Sequence, residues 1–80
     1  MDKINPDYYK KGDIECIDAI KSSMSHTEFC AYCKGSIIKY LWRYEDKNGI
    51  EDIRKAVWFL EKLRDAEEKN KWIPYGRKDV

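Results

Sequence analysis

Basic side chains recur through the middle of the sequence among tyrosine and tryptophan. Lys39 and Arg43 are one helical turn apart, and Lys47 and Lys55 follow further along. Guanidinium and ammonium groups both bind phosphate, the first as a planar fork and the second as a point charge. Nearby aromatic rings can stack on a nucleobase. The residues that could supply such a ring are Tyr9, Tyr40, Trp42 and Trp58.

The same basic residues also fit a structural interpretation. Lys39 and Arg43 could form ion pairs with acidic side chains of neighbouring helices, namely Glu15, Asp18 and Asp52. Exposed pairs of this kind contribute only about 0 to 1 kcal/mol each. The residue pattern alone favours this interpretation over phosphate binding, since solvated helix faces are common.

Acidic residues form a second candidate group. Glu15 and Asp18 have i, i+3 spacing, at which two carboxylates of one helix could share a magnesium ion. Asp52, with Glu51 beside it, could add a ligand from another helix. This arrangement is similar in general kind to the acidic helix pairs of all-α nucleotide pyrophosphohydrolases. The alternative is that these acids favour a helix N-terminus and pair with basic side chains.

Histidine and cysteine form a third candidate group. His26, Cys30 and Cys33 are spaced i, i+4, i+7, which can place them on one helix face, and Cys16 could complete a tetrahedral zinc site. The structural alternative places Cys33 in the core, Cys30 half-buried and His26 in a loop or a first helical turn. No P-loop and no nucleophile elbow occurs in the sequence, and its single histidine forms no nucleophile–base pair. We therefore predict no catalytic residues.

The composition of the chain limits the kinds of partner and compartment that we expect for it. The chain has 80 residues and a net charge of +1, so it gives no strong signal for nucleic-acid binding. No apolar run approaches the length of a membrane span. The N-terminal residues lack the apolar segment of a secretory signal, and three cysteines form no even disulfide set. We expect reduced thiols in a cytosol.

Hydrophobic periodicity predicts an all-α fold, a small three-helix bundle in a single domain. The helices are expected from about Asp13 to about Ser23, from about Thr27 to Tyr44, and from Ile50 to about Glu68. Ser25 and Glu28 match a capping box at the start of the second helix.

Two further expectations concern the ends of the chain and its assembly. Residues 1–12 are predicted to form an ordered arm and residues 69–80 a non-helical tail, flanking a helical core over 13–68. A hairpin of two helices should turn at Asn48 and Gly49. The second helix has apolar residues on more than one side, which predicts a homo-oligomer.

Two segments carry a family resemblance, "NPDYYKKGDIECIDAI" and "KGSIIKYLWRYEDKNGIEDIRKAVWFLEKL". In order and spacing they resemble a family of small bacteriophage proteins of unknown function, over about Asn5 to Leu63. Tyr8 stands where that pattern usually has His, and Ser36 where it usually has Asn. The positions that match the pattern are Tyr9, Glu15, Asp18, Gly35, Lys39, Tyr40, Arg43, Lys47, Gly49, Asp52, Lys55 and Ala56.

The resemblance implies a function. The family is similar to a segment of a phage nucleotide kinase that lacks a P-loop, which implies a phage protein acting in the host cytoplasm. It favours binding of a nucleotide or phosphate ligand, linked to nucleotide metabolism or evasion of host defence. The expected ligand-binding residues are Tyr9, Lys39, Arg43, Lys47, Lys55 and Trp58.

Two other functions stay open at this stage. The chain could bind and modulate a host protein, with Trp42, Trp58 and Trp72 as anchors, because tryptophan often dominates interface energetics. It could also be an enzyme of nucleotide metabolism, a kinase or pyrophosphohydrolase that holds magnesium on Glu15 and Asp18.

Overall fold

A computed structural model describes residues 7–70 of the chain. The described region is mostly helical, with one very small antiparallel sheet at its start. In chain order the elements are a 3-10 turn at Asp7–Tyr9, strand β1 (Lys10–Lys11), strand β2 (Ile14–Glu15), helix α1 (Cys16–Ser22), helix α2 (His26–Arg43), a 3-10 turn at Tyr44–Asp46, and helix α3 (Ile50–Lys69). The three predicted helices are therefore confirmed.

The start of the first helix was predicted wrongly. Residues expected to open it instead form a β-hairpin, in which Lys11 pairs with Ile14 and Lys10 with Glu15. Gly12 lies in the turn with φ +60°, a left-handed conformation that glycine adopts more easily than other residues. Because the turn and short sheet use residues 10–15, α1 begins only at Cys16.

The start of α2 is fixed by the predicted capping box. The Ser25 hydroxyl accepts a hydrogen bond from the Glu28 backbone N–H at 3.1 Å. The Glu28 carboxylate accepts one from the Ser25 backbone N–H at 2.8 Å. Two N–H groups that the helix cannot pair internally are thereby satisfied. This confirms the interpretation of Ser25 and Glu28 as a helix start.

The turn between α2 and α3 lies where the Asn-Gly pair predicts it. Gly49 has φ 55° and ψ −125°, a conformation essentially restricted to glycine. Its N–H donates to the Tyr44 carbonyl at 2.8 Å, which closes the connection. The chain thus reverses direction within a few residues, and α3 packs antiparallel along α2.

The buried core is small. Ile17 of α1 packs with Phe29 and Cys33 of α2 and with Ala66 of α3. Cys33 has no exposed surface, so its expected position in the core is confirmed. Around this cluster lie half-buried apolar side chains, namely Ile20, Met24, Cys30, Tyr32, Trp58, Phe59 and Leu63. A chain of this size buries only about 60% of its unfolded surface, so large apolar groups remain partly accessible.

Some predictions fall outside the described residues. These are the first part of the arm, residues 1–6, and nearly all of the tail, residues 71–80 with Trp72. Within residues 7–70, no helix combines the length and apolar character needed to cross a bilayer.

The capping box provides a test of the fold. Replacing Ser25 by Ala removes the acceptor for the Glu28 N–H and should lower the free energy of unfolding by about 1 kcal/mol. Chemical denaturation followed by circular dichroism measures this change. Ser22→Ala, at the exposed C-terminal end of α1, is the matched control and should change stability by less than about 0.5 kcal/mol. Equal losses in both variants would contradict the capping role.

Candidate functional site

A cavity of about 250 Å³ lies among the N-terminal residues of the described region and the three helices. We call it the aromatic cavity, because six of the side chains that line it are rings. Its aromatic lining is Tyr8, Tyr9, Tyr32, Tyr40, Trp58 and Phe59. The rest of the lining is Cys16, Ile17, Ile20 and Lys55. It is therefore an apolar, aromatic space with one basic side chain in its wall.

The rings of α2 and α3 hold one another in place around Phe59. Tyr40 stacks on Phe59 with centroids 6.0 Å apart, and Trp58 meets Phe59 edge-on at 5.0 Å. Tyr32 meets it edge-on at 5.8 Å. Contacts of this geometry are favourable beyond the area they bury. Phe59 therefore restricts the movement of the other three rings, Tyr32, Tyr40 and Trp58.

Two tyrosine hydroxyls in the cavity wall are weaker acids than usual. Burial raises the pKa of Tyr32. A hydrogen bond with Tyr8 raises the pKa of Tyr9. Both phenols are therefore protonated at neutral pH and can donate a hydrogen bond.

Three cations surround the Tyr40 ring. The Lys39 Nζ lies 4.6 Å from the ring centroid, the Lys55 Nζ 5.5 Å, and the Arg43 Cζ 5.0 Å. These distances suit cation–π interaction. We call Lys39, Arg43 and Lys55 the Tyr40 cations. Since Tyr40 and Lys55 also line the aromatic cavity, positive charge lies at the edge of the aromatic space.

Arg43 also forms the most buried ion pair of the described region. Its Nε donates to Asp52 Oδ2 at 3.2 Å and its Nη2 to Oδ1 at 3.1 Å, a two-pronged contact. The Asn48 backbone N–H donates to Asp52 Oδ2 at 3.4 Å. The Asp52 side chain has no exposed surface, whereas 31% of the Arg43 side chain is accessible. We call this contact the Arg43–Asp52 clamp.

The clamp changes the acidity of both partners. The hydrogen bonds from Arg43 hold the pKa of the Asp52 carboxyl below its usual value of 3.8, and the Asn48 N–H adds to the effect. The same contact raises the pKa of Arg43. The ion-pair alternative for Arg43 is therefore confirmed, although the pair is more buried than a surface salt bridge.

The structure brings most of the expected ligand-binding residues to one region. Tyr9, Trp58 and Lys55 line the aromatic cavity. Lys39 and Arg43 lie against the Tyr40 ring at its edge. The exception is Lys47, which is exposed in the turn after α2 and belongs to neither group.

The acidic residues do not assemble as expected. Glu15 lies in β2 and precedes the first turn of α1, so it does not share a helix with Asp18. Asp18 is exposed on α1, whereas Asp52 is buried in the clamp. In the described part of the chain these three carboxylates form no metal-binding group.

The four expected zinc ligands do not all come together. Cys33 is buried in the core and Cys16 is exposed beside the aromatic cavity. His26 and Cys30 do lie together, and their third neighbour is Glu67 of α3. Burial, followed by the nearby Glu67 carboxylate, raises the pKa of the Cys30 thiol.

Sequence reasoning missed Glu67 and the ring wall of Tyr32 and Phe59. All three depend on the register of α2 against α3. In the structure Arg43 lies opposite Asp52 near the turn, and Cys30 lies beside Glu67 toward the far end of the same two helices.

The sequence also matches a known family. The profile of a protein of unknown function, DUF3310, matches residues 3–61, which is most of the chain. The chain belongs to the DUF3310 family. No curated protein and no solved structure matches it.

The DUF3310 match encloses the aromatic cavity and the clamp. All cavity-lining residues lie between Tyr8 and Phe59, and the clamp residues lie within the same span. Glu67 lies beyond the end of the match. The cavity and its cations are thus contained in the DUF3310 region, whereas the His26–Cys30–Glu67 group extends past it.

The clamp gives a stability test. Asp52→Asn keeps the side-chain shape but removes the charge that Arg43 binds, so the melting temperature should fall by about 10 °C. Asp65→Asn is the matched control, because Asp65 forms an exposed ion pair with Arg64 at 3.3 Å. It should shift the melting temperature by less than about 3 °C. Similar shifts in both variants would show that the clamp adds no more than a surface pair.

The pH dependence of that difference follows from the lowered pKa of Asp52. Because the folded pKa lies below the usual 3.8, the clamp's contribution is complete above that value and is lost as pH falls through the folded pKa. The gap between wild type and Asp52→Asn should therefore be constant from neutral pH to about pH 5 and shrink in stronger acid. Thermal melts across this range measure it.

Proposed function

We propose that this DUF3310 protein binds a nucleotide or a related phosphate-containing aromatic ligand. One observation carries the proposal: an aromatic cavity with Lys55 in its wall and two further cations on the Tyr40 ring at its edge. Aromatic rings stack on nucleobases, and lysine and arginine bind phosphate. The resemblance to small bacteriophage proteins implies the same ligand class.

The size of the cavity indicates which part of a nucleotide it could enclose. Its volume of about 250 Å³ lies just below the range of about 300–1,000 Å³ that is usual for small-molecule pockets. It suits one base or nucleoside better than a dinucleotide. In our proposal the base enters among the rings, and the phosphate stays outside, near Lys55 and Lys39.

Arg43 can contribute although it holds Asp52. The clamp uses Nε and one hydrogen of Nη2. A guanidinium has five N–H donors in all, so three remain. With about a third of the side chain accessible, these donors can bind a phosphate oxygen while the clamp stays closed. Asp52 would then hold Arg43 in position for the ligand.

Tyr8 and Ser36 are the two residues that differ from the bacteriophage family pattern. Tyr8 lines the aromatic cavity. Ser36 is half-buried on α2, one turn from both Tyr32 and Tyr40. We therefore expect the identity of these two residues to influence which base the cavity accepts.

The proposal is for binding, without a catalytic step. The magnesium-dependent kinase or pyrophosphohydrolase alternative relied on carboxylates that do not meet. Asp52 is occupied by Arg43, and Glu15 and Asp18 lie on different elements. Binding needs only the rings and cations that the structure brings together.

Calorimetric titration tests the proposal. The full chain should bind at least one member of a panel of mononucleotides, dinucleotides and cyclic oligonucleotides. Lys55→Ala should weaken that binding by about 1.5 to 3 kcal/mol, because it removes a charged hydrogen-bond donor. Lys34→Ala is the matched control, since Lys34 is exposed on α2 and lies outside the cavity lining. No heat with any ligand at high protein concentration would refute the proposal.

A second proposal concerns an exposed apolar surface. Ile38, Leu41 and Trp42 recur at i, i+3, i+4 on α2 and are 52%, 50% and 84% exposed. Val57 and Leu60 of α3 are also about half exposed. We call these five residues the outer face.

The outer face points away from the aromatic cavity. Ile38 is two residues from Tyr40, and Val57 two residues from Lys55, which is about 200° around each helix. Because the core is small, we propose that the outer face pairs with a second copy, as the apolar excess of α2 predicts. Binding of a host protein through Trp42 is the alternative use of the same surface.

Light scattering at high micromolar concentration tests self-association. The wild type should show a mass above that of the monomer. The double variant Ile38→Lys and Val57→Lys should be monomeric and still helical, because both positions are already half exposed. Ser22→Ala, at the exposed end of α1 and outside the outer face, should leave the mass unchanged. A monomeric wild type would refute the pairing and favour the host-protein alternative.

A further inference from the structure

A compact group of unlike side chains lies at the open end of the α2–α3 hairpin. The Cys30 Sγ is 3.6 Å from His26 Nε2 and 3.7 Å from Glu67 Oε2. The His26 Nε2 is 3.6 Å from Glu67 Oε1. In the described part of the chain, this is the one group of three potential ligands that converges.

The spacing of these atoms suits a tetrahedral metal ion. Zinc lies about 2.3 Å from sulfur and about 2.0 to 2.2 Å from nitrogen or oxygen. For ligands at tetrahedral angles, those bond lengths place the donor atoms about 3.3 to 3.6 Å apart. The two short contacts of Glu67 involve different oxygens, Oε2 with Cys30 and Oε1 with His26. With one donor atom from each residue, all three atoms lie within 4.8 Å of one another, so an ion could bind after side-chain rotations that bring them closer.

The backbone supports the same geometry. His26 and Cys30 are i and i+4 in the first turns of α2, which puts both on one face of the helix. The capping box fixes that helix start, and the antiparallel packing brings Glu67 across from the end of α3. The three ligands thus come from two helices, and none lies on a long loop.

We propose that His26, Cys30 and Glu67 bind a zinc ion that joins the start of α2 to the end of α3. The set combines thiolate, imidazole and carboxylate, all of which are zinc ligands in proteins. The side chains of His26 and Glu67 are 35% and 43% exposed, so the fourth position faces solvent and would hold water. The bound zinc ion would stabilise the packing of the start of α2 against the end of α3.

The competing description is a hydrogen-bonded group without metal. In that case the Cys30 thiol donates to Glu67, and the His26 ring lies 3.6 Å from the same carboxylate. The two descriptions differ in a measurable way, because only the metal site creates a bond between sulfur and an added ion.

Cobalt(II) provides a spectroscopic probe for that bond. Titrating the reduced full chain with Co²⁺ should produce a thiolate-to-cobalt charge-transfer band and the visible bands of a tetrahedral ion. Zn²⁺ should displace the cobalt and abolish both. Zn²⁺ should also raise the melting temperature, and the rise should grow with the logarithm of the free zinc concentration once this exceeds the dissociation constant.

Variants identify the ligands. Cys30→Ser should abolish the charge-transfer band and weaken zinc binding by more than about 100-fold. Glu67→Gln changes a half-exposed residue, so it keeps the site testable if Cys30→Ser fails to fold. It should weaken zinc binding by at least about 10-fold while the sulfur band persists. Cys16→Ser is the matched control, because that exposed thiol lies outside the group.

Two results would overturn the proposal. One is the absence of a charge-transfer band at saturating Co²⁺. The other is an equal loss of binding in Cys16→Ser and Cys30→Ser, which would indicate adventitious binding to any thiol. Nucleotide titrations do not depend on either result, because the aromatic cavity shares no residue with His26, Cys30 and Glu67.

Discussion

The contact between Arg43 and Asp52 sets the arrangement of the rest of the molecule. A fully buried carboxylate is costly unless its charge is paired, and Arg43 is the side chain that pairs it. That requirement fixes one register of α2 against α3. From the turn at Gly49 outward, the register then decides which side chains meet. Near the turn it places Lys55 on the Tyr40 ring, and at the far end it places Glu67 beside Cys30. Both candidate sites therefore depend on the clamp.

Such dependence on a polar contact follows from the small core. The fully buried apolar residues of the described region are few, and the largest of them is Phe29. Many of the other large apolar groups line the aromatic cavity or lie on the outer face. A fold of this kind gains stability from anything that binds its native state, whether a ligand, a metal ion or a second copy. Nucleotide binding, zinc binding and self-association would each stabilise the native state, and each uses a different surface.

The sequence predicted the helices well because their signals are local. The capping box and the Asn-Gly turn each act within a few residues, and both proved correct. The β-hairpin was missed because Ile14 and Glu15 fit the helical pattern as well as they fit a two-residue strand. The candidate site was only partly predictable. Tyr9, Lys55 and Trp58 were named from residue type, but Phe59 and Glu67 depend on helix register, which short-range patterns do not specify.

Arg43 links stability to the candidate ligand site. It binds the buried Asp52 on one side and the Tyr40 ring on the other, and that ring lines the aromatic cavity. An anion near the Tyr40 cations would draw on the same guanidinium that neutralises Asp52. Since the clamp leaves three N–H donors unused, the two contacts are compatible, and the buried carboxylate restricts the rotation of the guanidinium in advance. The residues matched by the family profile can therefore serve packing and binding at once, and removal of Arg43 would impair both.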